Sequence, residues 1–216
     1  MLARLGCAAL AAPVIETRAL DEPAPPGPFD ALIVTSAKAA ARLADLPEET
    51  RALRVFAVGP RTARALGANG SRDVFASGGD AQALIRDISR LAPPPARLLH
   101  VAGRDRKPEP AGGLRAMGYD VSVWTAYEAR AVRRLPESAR AALADGAIAA
   151  ALHYSPRSAR ILLRLVAEAG ASQAFARIAH VVISPDVAAI LREAGLRRVS
   201  AAPEPNEKAM LRVLLG

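Results

Sequence analysis

The chain repeats itself. LARLG (2–6) followed by AALAAPVIETRAL (8–20) reads like LRAMG (114–118) followed by DVSVWTAYEARAV (120–132). ALIVTSAKAAARL (31–43) returns as AALHYSPRSARIL (150–162), RVFAVGPRTARALGANG (54–70) as AHVVISPDVAAILREAG (179–195), and GGDAQALIRDI (78–88) as EPNEKAMLRVL (204–214). The landmarks Gly6/Gly118, Ser36/Ser155, Pro60/Pro185 and Asp80/Asn206 keep their order, with small insertions between them. A repeat of this extent predicts two similar lobes. Bringing like helix ends together makes the cleft between the lobes the expected place of function.

Within each copy, short apolar runs alternate with helical patterns. Strands are predicted at 8–12, 31–35, 54–58, 73–75, 97–102, 120–124, 149–153, 179–183 and 197–200. Helices are predicted at 37–46, 61–66, 80–91, 109–117, 136–144, 156–169, 186–194 and 206–214. Strands separated by helices imply parallel sheets covered on both faces, so the fold class is α/β. Gly67, Gly118, Gly170 and Gly195 stand where left-handed helix stops are expected, and Asp80 and Asn206 are good N-caps for the last helix of each copy. Segment 20–30, with Pro23, Pro25, Pro26 and Pro28, and the matching 129–139 read as extended crossings between the lobes.

The copies are unequal. RLLHVAG (97–103) and the loop RDRKPEP (104–110) open the second copy, and nothing before Met1 matches them. In an open doubly wound sheet that strand lies centrally, so its absence leaves strand 8–12 without a natural neighbour. An empty central slot would cost many kcal/mol of burial and hydrogen bonding, which favours a start codon placed too far downstream over a lobe that closes differently. The opening MLARLGCAALAAP superficially resembles a leader. Because Gly6 matches the internal Gly118, it is read as a helix end followed by a strand.

Half of the residues are hydrophobic (51%), enough for a core in each lobe, and no apolar run approaches the roughly 20 residues of a membrane span. The single Cys7 excludes an internal disulfide or a thiolate cluster and suits the cytoplasm. A net charge of +8, carried by 26 arginines and 3 lysines, suggests an acidic partner. Arginines spread over helix surfaces by composition alone are the plainer reading. They form no block and few aromatics interleave with them, which argues against nucleic acid.

The recurring chemical unit is an apolar strand, then a small hydroxyl residue or Gly, then a helix. It occurs at Thr35 and Ser36, at Gly59 with Arg61 and Thr62, at Ser155 with Arg157 and Ser158, and at Ser184. The serines serve as plain helix caps on one reading. On the other, these helix starts at the carboxyl ends of parallel strands, with free N–H groups and a positive dipole end, form a clamp for carboxylates. No dinucleotide-binding or P-loop glycine pattern and no nucleophile elbow is present. His100, His153 and His180 fit no metal-ligand spacing, so no metal is expected. Tyr127, in VWTAYEA, leaves a strand towards the crossing. It is either a half-buried packing residue or a phenol able to donate a proton.

VTSAKAA (34–40), AVGPRTARAL (57–66), GGDAQAL (78–84), AGRDRKP (102–108), VWTAYEA (123–129), YSPRSA (154–159) and the ending near Pro203 together resemble the uroporphyrinogen-III synthase family over nearly the whole chain. The specificity lies in their order and spacing. Ser184 departs from the pattern, standing where the family often has a Gly, and the family's usual first strand with its Thr-Arg-Pro-like turn has no counterpart. The resemblance implies two flavodoxin-like parallel-sheet domains, 1–15 plus 134–216 and 16–133, with an interdomain cleft and a two-stranded crossing. It implies cyclisation of hydroxymethylbilane, a linear tetrapyrrole with eight carboxylates. The terminal pyrrole inverts through a spiro intermediate, water is lost, and no cofactor is needed. Tyr127 is then the candidate acid. Thr35, Ser36, Gly59, Arg61, Thr62, Gly103, Arg104, Ser155, Arg157, Ser158 and Ser184 are candidate substrate-binding residues. A cytoplasmic monomer is expected, without nucleic-acid or membrane partners. The alternative is a non-catalytic two-lobed binding module for an anionic small molecule.

Overall fold

Strands buried on both faces are apolar at nearly every position, and this chain has two such segments side by side, with His100 the one polar residue in them. In the computed structural model, which describes residues 6–216, Ala31–Val34 and Leu98–Gly103 are buried throughout. Alternate residues of each serve opposite faces of one sheet. Leu32, Val34, Leu99 and Val101 enter one core, and Ala31, Ile33 and Leu98 the other. Burying each Leu, Ile or Val contributes about 1.5–3 kcal/mol, so this pair of strands anchors the sheet.

The chain divides into two compact units. The inner unit spans Thr17–Arg130, and the outer unit joins the described residues up to Glu16 to Ala131–Gly216. The inner unit takes up β1 (Ile15–Ala19), β2 (Ala31–Val34), a 3-10 helix (Ala37–Asp45), α1 (Glu48–Arg51), β3 (Val55–Ala57), α2 (Pro60–Ala68) and β4 (Val74–Ala76). It continues with α3 (Ala81–Leu91), β5 (Arg97–Gly103), α4 (Ala111–Ala116) and β6 (Asp120–Ala131). Its six strands lie in the order β1-β6-β5-β2-β3-β4. From β6 to β4 every pairing is parallel. Along β1 and β6, Val132 N–H reaches Val14 O and Leu20 N–H reaches Ala126 O; one position rises as the other falls, so this pair is antiparallel. The 3-10 helix and α2 cover one face through Ala39, Ala40, Leu43 and Leu66, and α3 and α4 cover the other through Leu84, Ile85, Ile88 and Leu114.

The outer unit holds α5 (Glu137–Ala144), β7 (Ala150–His153), α6 (Pro156–Glu168), α7 (Ser172–Arg177), β8 (Ala179–Val182), α8 (Pro185–Glu193), β9 (Val199–Ala201) and α9 (Glu207–Leu215). Its sheet is β7-β8-β9, parallel throughout. One face packs under α5, α6, α7 and α8 through Leu143, Leu165, Phe175 and Leu191, and the other under α9 through Met210. β7 matches β2 in the repeat, but it lies at a sheet edge, and Ala150–Leu152 are only half buried.

Several expectations change. Residues 8–12 form no strand: they are unpaired and mostly exposed, because a strand is stabilised by a hydrogen-bonded neighbour and no described strand lies alongside. The helix end expected before Gly6 lies outside the described residues. The Pro-rich segment 20–29 is not the passage between units. It lies on the inner unit, held where the Trp124 indole donates to Glu22 O (2.9 Å) and Arg42 to Leu20 O (3.0 Å). The chain passes between units within β1 and at the end of β6, which is longer than expected. Gly67 is not a helix stop. α2 runs past it, and Gly70, with φ 91°, takes the left-handed position. Asp80 and Asn206 do cap their helices, accepting from the N–H groups of Ala83 (2.7 Å) and Ala209 (2.8 Å). Among the described residues no helix is long and apolar enough to cross a membrane.

Candidate functional site

β2 and β5 are neighbours, yet the 3-10 helix after β2 and α4 after β5 cover opposite faces of the sheet. At such a point the carboxyl edge of a parallel sheet opens into a crevice where ligands bind. Thr35 ends β2 here, and its Oγ1 is 3.1 Å from Nε2 of His100 on β5. Burial, with the charges of Arg106 and Arg115 nearby, holds the His100 imidazole down at about 4, so it is neutral at pH 7. Ser36 serves as the cap of the 3-10 helix, accepting from Lys38 N–H at 3.3 Å.

After β3, Gly59 precedes α2 and lies against the loop that follows β4. A Cβ at Gly59 would approach Gly79 Cα to 3.1 Å, tighter than ordinary contact, so glycine allows the two loops to close together. Pro60 starts the helix, Arg61 is exposed, and the Thr62 side chain is turned inward with 5% exposure. What α2 offers a ligand is therefore its free N–H groups and Arg61, not the Thr62 hydroxyl. In the same loops the Ser77 hydroxyl is buried with no hydrogen-bond partner among the described residues.

Tyr127 owes its position to an irregularity in β6. Ala102 pairs with Thr125 but Gly103 with Tyr127, leaving Ala126 as an extra residue. A bulge of this kind inverts the side-chain alternation beyond it. Val121 points into the core under α3 and α4, whereas Tyr127 joins Trp124, Leu99 and Val101 in the opposite one. Its ring lies against Gly103 so closely that a Cβ there would meet ring carbons at 2.8 Å and the hydroxyl at 3.1 Å. Tyr127 is 8% exposed. Arg104 follows directly. Its N–H donates to Tyr127 O (2.8 Å) and its Nη1 to Glu128 Oε2 (2.6 Å). Arg106 donates to Gly103 O (3.1 Å) and Thr125 Oγ1 (3.2 Å), closing the loop over the strand end.

In the outer unit, Ser155 caps α6: its Oγ accepts from Ser158 N–H (3.1 Å) and is 2.6 Å from Ser158 Oγ. Arg157 is exposed in the same first turn. Ser184 occupies the N-cap of α8 but makes no side-chain cap bond. A pocket of about 280 Å³ is lined by Ala12–Ile15, Leu152, His153, Tyr154, Ser158 and Leu162. Beneath it, His180 Nε2 is 3.1 Å from Phe175 O, which can only accept. The neutral His180 ring therefore turns its Nδ1 lone pair towards the Nε2–H of His153, 3.2 Å away. Desolvation lowers both imidazoles, His153 to about 4.

The structure thus gathers Thr35, Ser36, Gly59, Arg61, Thr62, Gly103, Arg104 and Tyr127 in the inner unit, and Ser155, Arg157, Ser158 and Ser184 in the outer. Each set lies at the carboxyl ends of its own parallel strands. Three residues escaped sequence reasoning. Tyr154 is exposed, with its hydroxyl 3.2 Å from Glu207 Oε1; the repeat aligns it with Thr35, a signal that could have found it. Glu128 and Ser77 gave no signal, since nothing in the sequence marks their burial.

Comparison with known proteins agrees with this architecture. The sequence family described as Uroporphyrinogen-III synthase HemD matches residues 1–212. No curated protein matches the chain. Uroporphyrinogen-III synthetase from Helicobacter pylori shares the fold, with TM-score 0.59 and 18% identity over 94% of this chain and 90% of that one. A uroporphyrinogen III synthase from Thermus thermophilus aligns over 99% of this chain and 90% of that one at 19% identity, with TM-score 0.46. On the family match over almost its full length, the chain belongs to the uroporphyrinogen-III synthase family.

Proposed function

We propose that the chain cyclises hydroxymethylbilane to uroporphyrinogen III as a cytoplasmic monomer, with inversion of the terminal pyrrole, loss of water and no cofactor. Each of its units is read as a flavodoxin-like domain. The observation that supports the assignment of roles is the Gly103–Tyr127 contact beside Arg104, which lodges a phenol at the carboxyl edge of the inner sheet. In this reading Tyr127 donates its proton to the departing hydroxyl, so that water leaves as the C–O bond breaks. The ring then closes through the spiro intermediate. General acid catalysis of this kind contributes typically 10²–10⁴-fold.

The substrate's carboxylates are taken up by helix N-termini and arginines of the candidate set: the starts of α2, α6 and α8, together with Arg61, Arg104 and Arg157. The N–H groups there satisfy an anion without a counter-ion of the enzyme's own. Catalysis is then mostly positioning and electrostatic preorganisation. Freshly generated hydroxymethylbilane tests the assignment. The type III isomer should form faster than the spontaneous type I product, and Tyr127→Phe should lower kcat by at least about a hundredfold with little change in KM. An unchanged kcat in that variant removes Tyr127 from the mechanism.

A further inference from the structure

Glu128 is the one buried carboxylate among the described residues, 6% exposed, on a strand whose flanking charged side chains reach solvent. A carboxylate is retained in such a position only when its charge is matched. Here two guanidiniums match it. Arg104 Nη1 donates to Oε2 at 2.6 Å, and Arg130 Nε lies against Oε1 as an ion pair without hydrogen-bond alignment. One negative charge thus holds two positive ones. The Arg104 main chain is tied to Tyr127 O through its N–H, and its guanidinium to Glu128, so both ends of the residue have a partner on β6. Both arginine side chains stay about half exposed, at 52% and 51%, with donors left over. A further neighbour is Glu22, exposed and 3.9 Å from Arg104 Nη2, beyond hydrogen-bond reach.

We propose that Glu128 is a positioning residue that sets Arg104 and Arg130 as a twin-guanidinium clamp for one substrate carboxylate, which displaces the loosely held Glu22. The proposal rests on the reading of the chain as a synthase acting on a polycarboxylate. Glu128 itself touches no reacting atom. It holds two guanidiniums, one on each of its oxygens, and guanidinium donors form charge-assisted hydrogen bonds to carboxylates.

Two variants at this cluster give opposite signs. Glu128→Gln keeps the shape but frees the arginines, and should raise KM for hydroxymethylbilane about tenfold while kcat changes less than about twofold. Glu22→Gln removes the competitor and should lower KM. The same pair is read without turnover by calorimetric titration with benzenehexacarboxylate, whose Kd should rise in E128Q and fall in E22Q. Both substitutions remove one negative charge, so general electrostatics alone would shift both variants in the same direction. Unchanged KM and Kd in E128Q, or equal weakening in both variants, overturns the clamp. If E128Q does not fold, Arg130→Gln, at an exposed side chain, carries the test: Kd should rise about tenfold, and an unchanged Kd overturns the proposal. If the wild type forms no type III isomer while the hexacarboxylate series responds as stated, the assigned reaction fails and the clamp stands. The converse result removes the clamp alone.

Discussion

Acid should unfold this protein earlier than its carboxylates alone would dictate, because each unit buries a neutral imidazole. His100 in the inner unit and His153 in the outer are 1% and 3% exposed, and burial lowers both from 6.5 to about 4. The unfolded chain therefore takes up these protons first. The stability they protect is fully present above pH 6.5 and is lost progressively as pH falls from 6.5 to 4, since below that range both states are protonated. For one such group the loss is about 2 kcal/mol by pH 5 and about 3 kcal/mol by pH 4. Each unit therefore loses about 2 kcal/mol by pH 5, a sizeable part of the 5–15 kcal/mol typical of a folded domain. Urea unfolding followed by circular dichroism at half-unit steps from pH 7.5 to 4.5 measures the slope. Proton NMR of the histidine C2 resonances measures the cause. Resonances of His100 or His153 titrating near 6.5 in the folded protein, or a stability flat from pH 7 to 5, would refute the reasoning.

Gly103→Ala places a methyl 2.8 Å from the Tyr127 ring. Overpacking of that kind costs about 1–3 kcal/mol, so thermal unfolding should register it and activity should fall with the displaced phenol. If Tm and activity both hold, the ring is not lodged against Gly103. Asn206→Ala removes the cap bond to Ala209 N–H and should cost about 1 kcal/mol in urea unfolding, whereas Ser184→Ala, which loses no cap bond, should be near neutral.

Much of this fold is legible because apolar runs of four to seven residues read directly as strands when both faces of a sheet are covered. Ala31–Val34 and Arg97–Gly103 are the clearest examples, and both fall where their patterns place them. Caps such as Asp80 and Asn206 are equally plain, because a side-chain oxygen at that position has a local partner to satisfy. Legibility ends where structure depends on a neighbour. Residues 8–12 align with a strand of the other copy but have no described strand to pair with. The site is readable as a set of edges but not in its finer arrangement: no sequence signal marks Ala126 as the extra residue of a bulge, and that one residue decides which face Tyr127 occupies. Glu128 reads as an ordinary surface charge until β6 is seen to continue through it between two arginines.

The most direct test is the isomer formed from hydroxymethylbilane, resolved by chromatography after oxidation to the porphyrin. The purified chain should yield predominantly the inverted type III isomer, at a rate that Tyr127→Phe depresses at least about a hundredfold. Formation of the type I isomer alone, at the rate seen without protein, would contradict the assigned reaction.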